Sequence, residues 1–322
     1  MREDNRIVSV IDTGYESFEE ERKILREAGY ELKIFEGLRN DLKAKVEFAK
    51  DSEGLLIRWS EINTEFLKRF TDLKAICRYG VGYDNINLAD AKSCGVKVAN
   101  VSGYASHSVS DHTLMLLFAV LRDLEGSMKQ LRGDYTQPGR KDTFELHEKT
   151  LGIIGLGRIG STFCQKAKPL FREIIAYDPY IGDDRFSEVG ARKVEKEELI
   201  KHSDVISLHC NLTDESRHII DDRAFERMDK KPILINTARG GVVDEEALGK
   251  ALQDDRLFGA GIDVFRDEPP LADMDEVINH PKVVATGHNA WYSSEAQEEL
   301  QRRAARNLVK MLQGQECEDR LV

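Results

Sequence analysis

Leu151-Gly-Ile-Ile-Gly155-Leu-Gly157-Arg-Ile-Gly160-Ser161, followed by Ile174-Ile-Ala-Tyr-Asp178, decides how the chain folds. The apolar run Leu151–Ile154 reads as a buried strand. Gly155, Gly157 and Gly160 follow with GxGxxG spacing, then a helix over Ser161–Leu170 and a second strand over Ile174–Tyr177. Asp178 closes that strand, 18 residues past Gly160. Gly155 permits a tight turn, Gly157 lets a pyrophosphate approach the backbone, and Gly160 lets helix and strand pack closely. Asp178 can accept from a ribose 2′-hydroxyl. A lone GxGxxG is weak; strand, helix, strand and acid in this order form a dinucleotide fingerprint. Arg158 and Ile159 would offer backbone N–H groups to the pyrophosphate, helped by the helix dipole. A 2′-phosphate would meet the like charge of Asp178, and Pro179 and Tyr180 bring no arginine to receive it, so NAD is expected over NADP.

Working outward, strands and helices alternate on both sides. Ile7–Ile11, Leu32–Phe35, Gly54–Ile57, Lys74–Cys77 and Val96–Ala99 read as strands, separated by helices at Ser17–Ala28, Asp41–Lys50, Asn63–Phe70 and Leu88–Ser93. Such alternation implies parallel pairing in an α/β, doubly wound unit. A long apolar helix over Val109–Leu131 is either central or shared with a second subunit. Gly133–Glu148, with Pro138 and Gly139, reads as a surface connection. After the fingerprint, strands are expected at Val205–His209, Ile233–Asn236, Gly259–Val264 and Val283–Thr286, and helices at Asp221–Arg227, Asp244–Gln253 and Ser293–Gln313. Asp244 is placed to cap its helix.

At 322 residues the chain has room for two domains, and 41% hydrophobic with 33% charged residues describes a soluble globular protein. A net charge of −11 argues against nucleic acid as the main partner but allows a local basic pocket. The apolar run Leu114–Leu121 is too short to span a membrane, and Met1-Arg-Glu-Asp-Asn-Arg6 has no signal-peptide core. Cys77, Cys94, Cys164, Cys210 and Cys317 are odd in number and lack metal-ligand spacing, so reduced thiols, a cytoplasmic setting and no metal are expected. Four of them are expected to pack as small apolar residues, and Cys317 to lie near the surface.

In open α/β sheets, chemistry takes place at the carboxyl ends of the strands. Arg239 follows Ile233-Leu-Ile-Asn-Thr-Ala, Glu268 follows Gly261-Ile-Asp-Val-Phe-Arg-Asp, and His288 follows Val283-Val-Ala-Thr-Gly. A guanidinium holds a carboxylate in bidentate fashion, an imidazolium protonates a carbonyl oxygen as hydride arrives, and a neighbouring carboxylate favours that protonated ring. Each residue alone is as readily a solvated surface group.

The stretches Asn236-Thr-Ala-Arg-Gly-Gly-Val-Val-Asp244, Gly261-Ile-Asp-Val-Phe-Arg-Asp-Glu-Pro269, the His288 segment, Tyr79-Gly-Val-Gly-Tyr-Asp-Asn85 and Leu151–Gly160 together resemble the D-isomer-specific 2-hydroxyacid dehydrogenases, from about Gly54 to Trp291. The resemblance implies a flavodoxin-like substrate domain (1–102 plus 290–322) and an inserted Rossmann NAD-binding domain (103–289). It implies Arg239 as substrate anchor, Glu268 as partner of the histidine, and His288 as general acid/base. Gly80, Val81 and Gly82 would offer backbone N–H groups to the substrate carboxylate. Asp263 would bind the nicotinamide carboxamide with the Thr237–Ala238 backbone nearby, and His209, Cys210 and Thr213 would line the adenine side. Family members are usually dimers joined through the long helix, here Val109–Leu131. The family commonly has proline at the positions of Gly287, Asn211 and Gly103; Gly287 is expected to loosen the approach to His288.

Arg58 and Arg78 match arginines that bind the substrate phosphate in phosphoglycerate dehydrogenases, although Trp59 replaces the expected serine. Two cations in one cleft would steer an anion. The segment His288-Asn-Ala-Trp291-Tyr-Ser instead resembles the C-terminal-binding proteins of the same family, and Trp291 would close the substrate cavity. Three readings follow: a dehydrogenase for a 3-phosphoglycerate-like or other small 2-hydroxy acid, a hydroxypyruvate or glyoxylate reductase, or an NAD(H)-sensing binding protein with vestigial catalysis.

Overall fold

The computed structural model describes residues 6–133, 142–268 and 275–322. The connection at Pro138–Gly139 and the Pro269 that follows Glu268 lie outside them. The chain divides into two compact units, Met1–Tyr104 with Ser293–Val322, and Ala105–Tyr292.

The first unit runs β1 (Ile7–Val10), α1 (Glu19–Glu27), β2 (Glu31–Ile34), α2 (Leu42–Ala49), β3 (Gly54–Ile57), α3 (Thr64–Leu67), β4 (Ala75–Arg78), α4 (Leu88–Ser93) and β5 (Lys97–Ala99). Its five strands pair in parallel in the order β2-β1-β3-β4-β5. β1 and β3 are buried along their whole length, as strands covered by helices on both faces must be. Asp41, Asn63 and Asn87 cap the helices that follow them through their side chains. A closing helix, Ser294–Leu312, returns to this unit from the far end of the chain. It packs so tightly on β3 that a Cβ at Gly54 would stand 3.1 Å from Leu312 Cδ1.

A buried ion pair ties this unit together. Lys45, 3% exposed, donates to Asp12 Oδ1 at 2.6 Å and to Ser60 Oγ at 3.0 Å. Asp12 Oδ2 accepts the backbone N–H groups of Arg58, Trp59 and Ser60, so the turn after β3 is fixed by one carboxylate. Burial pulls the Asp12 carboxyl upward, but Lys45, Ser60 and the backbone donors outweigh it and hold it below the usual aspartate value. Its contribution is therefore complete above the unfolded-state value and disappears as pH falls through the lowered one. Lys45→Met would leave Asp12 buried and uncompensated. We expect a loss of about 3–5 kcal/mol in urea unfolding, partly recovered in an Asp12→Asn/Lys45→Met double variant, whose neutral amide keeps an oxygen for the three backbone donors. A single variant as stable as wild type would refute this.

The second unit runs α5 (Ser106–Leu121), α6 (Leu124–Leu131), β6 (Thr150–Ile154), α7 (Arg158–Ala167), β7 (Glu173–Tyr177), α8 (Asp183–Val189), β8 (Arg192–Lys193), α9 (Lys196–His202), β9 (Val205–Leu208), α10 (Asp222–Glu226), β10 (Ile233–Asn236), α11 (Glu245–Gln253), β11 (Gly259–Ile262), α12 (Asp275–Ile278) and β12 (Val283–Ala285). The closing helix of the first unit is then α13. Seven parallel strands take the order β12-β11-β10-β9-β6-β7-β8, with β6, which leads into the glycine turn, between β9 and β7, and with β10, β11 and β12 adjacent.

Three local expectations are corrected. The helix expected over Val109–Leu131 is two helices, because Asp123 adopts a left-handed φ of 47° and its carboxylate caps the restart by accepting from Gly126 N. Cys317 is buried, whereas Cys94 is the exposed cysteine. The helix after the glycine turn begins at Arg158 and gives way to a 3₁₀ turn at Lys168–Leu170, where Pro169 lacks the N–H that a continuing helix needs. Among the described residues no helix is long and apolar enough to cross a membrane, and no cluster of three metal-ligating side chains occurs.

Candidate active site

The glycine turn is shaped by contact. Gly155 has φ +90°, and a Cβ there would lie 2.5 Å from Cys210 N. A Cβ at Gly160 would lie 2.0 Å from Gly155 O, so only glycine lets α7 begin against the turn. Around Gly157, by contrast, a Cβ would meet no protein atom within 4 Å, so protein packing does not explain that glycine. The open space there fits a ligand approaching the backbone. The first turn of α7 has no side-chain cap, so no side chain satisfies its leading N–H groups, the kind of helix start that receives an anion. Asp178 ends β7, buried, with Oδ2 accepting Leu156 N at 2.8 Å and Oδ1 accepting Tyr180 N at 3.0 Å. Each oxygen retains a second lone pair for a ribose hydroxyl. These residues fit a dinucleotide.

Across the turn, His209 Nε2 is 2.9 Å from Ser207 Oγ, and its ring stacks at a tilt on Phe163. Burial drives its pKa down to about 3, so the ring is neutral at neutral pH. Cys210 is half-buried, and burial raises its thiol to about 11. The Thr213 hydroxyl donates to Glu215 Oε2 at 2.8 Å. None of these side chains is charged toward the turn.

The three strand-end residues follow adjacent strands. Arg239 follows β10, Glu268 follows β11 and His288 follows β12. His288 Nδ1 lies 2.5 Å from Glu268 Oε2. Glu268 Oε1 accepts Phe265 N at 3.3 Å. Burial pulls the Glu268 carboxyl upward, but the hydrogen bond and charge of His288, the Phe265 N–H and the charge of Arg239 outweigh it and hold it below the usual glutamate value. An ionised carboxylate only accepts, so Nδ1 carries the proton and Nε2 is the nitrogen left for chemistry. The Arg239 loop is pressed against the Glu268 loop, since a Cβ at Gly240 would lie 2.0 Å from the Phe265 carbonyl carbon. Arg239 Nη1 donates to Ala238 O at 2.8 Å, while Asn236 braces the loop by donating to Arg239 O and accepting from Ala238 N.

Asp263 is fully buried, and its carboxylate is occupied by the His288 loop. It accepts the Thr286 hydroxyl at 2.6 Å and the N–H groups of Asn289 at 3.1 Å and Ala290 at 3.0 Å. The α5 residues that contact this loop and the Arg239 loop, His112 (to Thr286) and Thr113 (to Thr237), were not singled out from sequence. Their contacts span 174 and 124 residues respectively, and no local pattern announces them. Trp291 packs edge-on against Tyr292, with ring centroids 5.5 Å apart.

In the first unit, Arg58 lies over the rings of Tyr15 (5.4 Å) and Trp59 (5.1 Å), and Arg39 covers Trp59 at 4.2 Å. Arg78 folds beneath Gly80, where φ is +127° and a Cβ would lie 2.1 Å from Arg78 Nη1. Asn100 Nδ2 donates to Val81 O at 2.6 Å and steadies the Gly80–Gly82 loop. Arg58 and Arg78 both act on Tyr15, opposing the burial that raises its hydroxyl well above the usual tyrosine value.

Comparison with known proteins agrees with this architecture. A family profile described as "D-isomer specific 2-hydroxyacid dehydrogenase, NAD binding domain" matches residues 114–290. The chain is 35% identical over 300 residues to D-3-phosphoglycerate dehydrogenase of Methanocaldococcus jannaschii, covering 92% of this chain but only 56% of that protein. It is 34% identical over 278 residues to glyoxylate reductase of Korarchaeum cryptofilum, covering 85% of this chain and 83% of the relative. The crystal structure of D-lactate dehydrogenase from Aquifex aeolicus, complexed with NAD and lactic acid, superposes with a TM-score of 0.84 at 27% identity, covering 96% of each chain. The turn and the strand-end residues lie in a segment matched as an NAD-binding domain, and the chain belongs to the D-isomer specific 2-hydroxyacid dehydrogenase family.

Proposed function

We infer that the protein is an NAD-dependent D-2-hydroxyacid dehydrogenase that interconverts a small 2-hydroxy acid and its 2-oxo acid. The observation that carries this reading is the His288–Glu268 contact of 2.5 Å beside Arg239, at the ends of three adjacent strands. NAD(H), when bound, supplies or receives the hydride. Arg239 holds the substrate carboxylate by its planar fork and draws charge toward the carbonyl. His288 Nε2 gives its proton to the carbonyl oxygen in reduction and takes it back in oxidation. Glu268 holds the ring in one orientation and compensates the charge of the imidazolium.

The relatives point to small acids: one is a glyoxylate reductase, another a D-3-phosphoglycerate dehydrogenase. Arg58 and Arg78 are the groups we assign to an anionic end of the substrate. The deciding experiment is NADH oxidation with glyoxylate, hydroxypyruvate, pyruvate and 3-phosphohydroxypyruvate. Turnover of at least one acid is expected, with NADH preferred to NADPH by more than tenfold because Asp178 opposes a 2′-phosphate. Equal rates with NADPH would sink the role given to Asp178. Tight NADH binding without turnover of any acid would favour the NAD(H)-sensing binding protein instead. Arg58→Ala and Arg78→Ala should raise KM for phosphorylated acids alone if the substrate carries a phosphate.

We also infer a homodimer through α5 and α6. Met115, Phe118, Leu124, Met128 and Leu131 are all at least 41% exposed, an apolar face that a second copy would cover. A monomer in gel filtration would refute it.

A further inference from the structure

We propose that His112 and Thr113, consecutive residues of α5, are positioning residues that hold the loops carrying His288 and Arg239. The assignment rests on the roles given to those two residues above. Thr286 lies two residues before His288, and its hydroxyl donates to Asp263 Oδ1 at 2.6 Å. A hydroxyl has one proton, so at its 2.9 Å contact with His112 Nε2 the threonine oxygen accepts and the histidine donates. His112 is therefore the Nε2–H tautomer. Burial lowers its pKa against the opposing charge of Asp263, 3.5 Å away, so the donor is a neutral ring. The chain of bonds runs from His112 to Thr286 to Asp263, and Asp263 then grips the backbone on either side. Its carbonyl accepts His288 N at 2.7 Å, and its carboxylate accepts Asn289 and Ala290 N. His288 itself sits at φ +52°, a left-handed conformation uncommon outside glycine, which the surroundings must enforce.

Thr113 does the same for the other loop. Its hydroxyl donates to Val109 O at 2.7 Å, so in the 3.0 Å contact with Thr237 the donor is Thr237. Thr237 lies two residues before Arg239. α5 can act as a fixed rail because it touches the sheet directly: a Cβ at Gly261 of β11 would lie 2.9 Å from Leu116 Cβ. One helix thus sets the acid/base loop and the carboxylate-binding loop against a common frame. Misplacement of a reacting group by about 1 Å is enough to cost two orders of magnitude in rate.

The test uses the intact protein. Thr286→Val removes both links of the chain, and Thr286→Ser keeps them. We expect kcat for 2-oxo acid reduction to fall about tenfold or more in the valine variant, with KM and the NADH dissociation constant within about twofold, and the serine variant to recover the rate. His112→Leu, which breaks the link to α5 but keeps the Thr286–Asp263 bond, should lower kcat in the same direction by less, while His112→Gln, which keeps a donor near Nε2, should stay close to wild type. In ¹⁵N-labelled, cofactor-free protein, His112 should give the Nε2–H tautomer pattern, and Thr286→Val should move the ring resonances of His288. An unchanged kcat, a serine variant as slow as the valine one, or unmoved His288 resonances overturns the proposal. If wild type reduces no 2-oxo acid, the proposed reaction fails separately, and the imidazole spectra alone decide the positioning role.

Discussion

His288→Ala is expected to lower kcat for reduction of the 2-oxo acid by about 10²–10⁴-fold, the usual worth of a positioned general acid. The dissociation constant of NADH should change less than about threefold, because the glycine turn, the first turn of α7 and Asp178 form a separate part of the unit. The imidazole is oriented by a short contact, Nδ1 to Glu268 Oε2 at 2.5 Å, on a loop fixed by Asp263. Alanine removes the proton donor without disturbing that loop, since the grip on residue 288 is through its backbone N–H. Glu268 is 37% exposed in its side chain, so water can solvate it once the ring is gone and folding should be little affected. Glu268→Gln should cost less, about tenfold, because an amide still offers an oxygen to Nδ1–H but no charge to an imidazolium. Stopped-flow measurement of NADH oxidation at saturating acid separates these steps from binding. A rate for His288→Ala within threefold of wild type would remove His288 from the chemistry.

How much of this was legible in the residues follows from the range of the interactions. The turn from Leu151 to Asp178 was, since each of its requirements is met by a neighbour in sequence: a buried strand, glycines at contact positions, a helix start, an acid at the next strand end. The break at Asp123 was not, because neither glycine nor proline marks it; the signal was an aspartate three residues before Gly126, acting as a cap. α8 and α9 escaped because each is 7 residues long and carries few apolar positions. β8 is two exposed residues that only pairing with β7 makes a strand. Arg239, Glu268 and His288 were each indistinguishable from surface residues until strand order placed β10, β11 and β12 side by side. For Asp263 the resemblance implied a contact with nicotinamide, and nothing local announced that its carboxylate accepts three donors from residues 286–290. Hydrogen bonds between residues far apart in sequence leave no periodic trace.

Arg239→Met is expected to lower kcat/KM for the 2-oxo acid about 10³-fold, or ~4 kcal/mol in transition-state stabilisation. Two charge-assisted hydrogen bonds from one guanidinium to a carboxylate, each worth about 1.5–3 kcal/mol, account for that size. The loss should divide between KM and kcat. The carboxylate is held in ground state and transition state alike, which raises KM, whereas the attraction on the developing alkoxide is made only as hydride arrives, which lowers kcat. The loop should survive the substitution, because its shape depends on Asn236 bonding to the backbone of residues 238 and 239 and on Gly240 seated against Phe265. Arg239→Lys sharpens the argument. It keeps the charge near Glu268 but has no planar fork, so charge alone would restore most of the activity, while bidentate geometry would restore little. We expect the second result, with the lysine variant at least about 30-fold below wild type in kcat/KM and KM carrying most of the difference. Met and Lys variants that both retain wild-type KM would place the carboxylate elsewhere, and the residues then to be tried are the first unit's arginines, Arg58 and Arg78, whose guanidinium groups lie beside Tyr15 and Gly80.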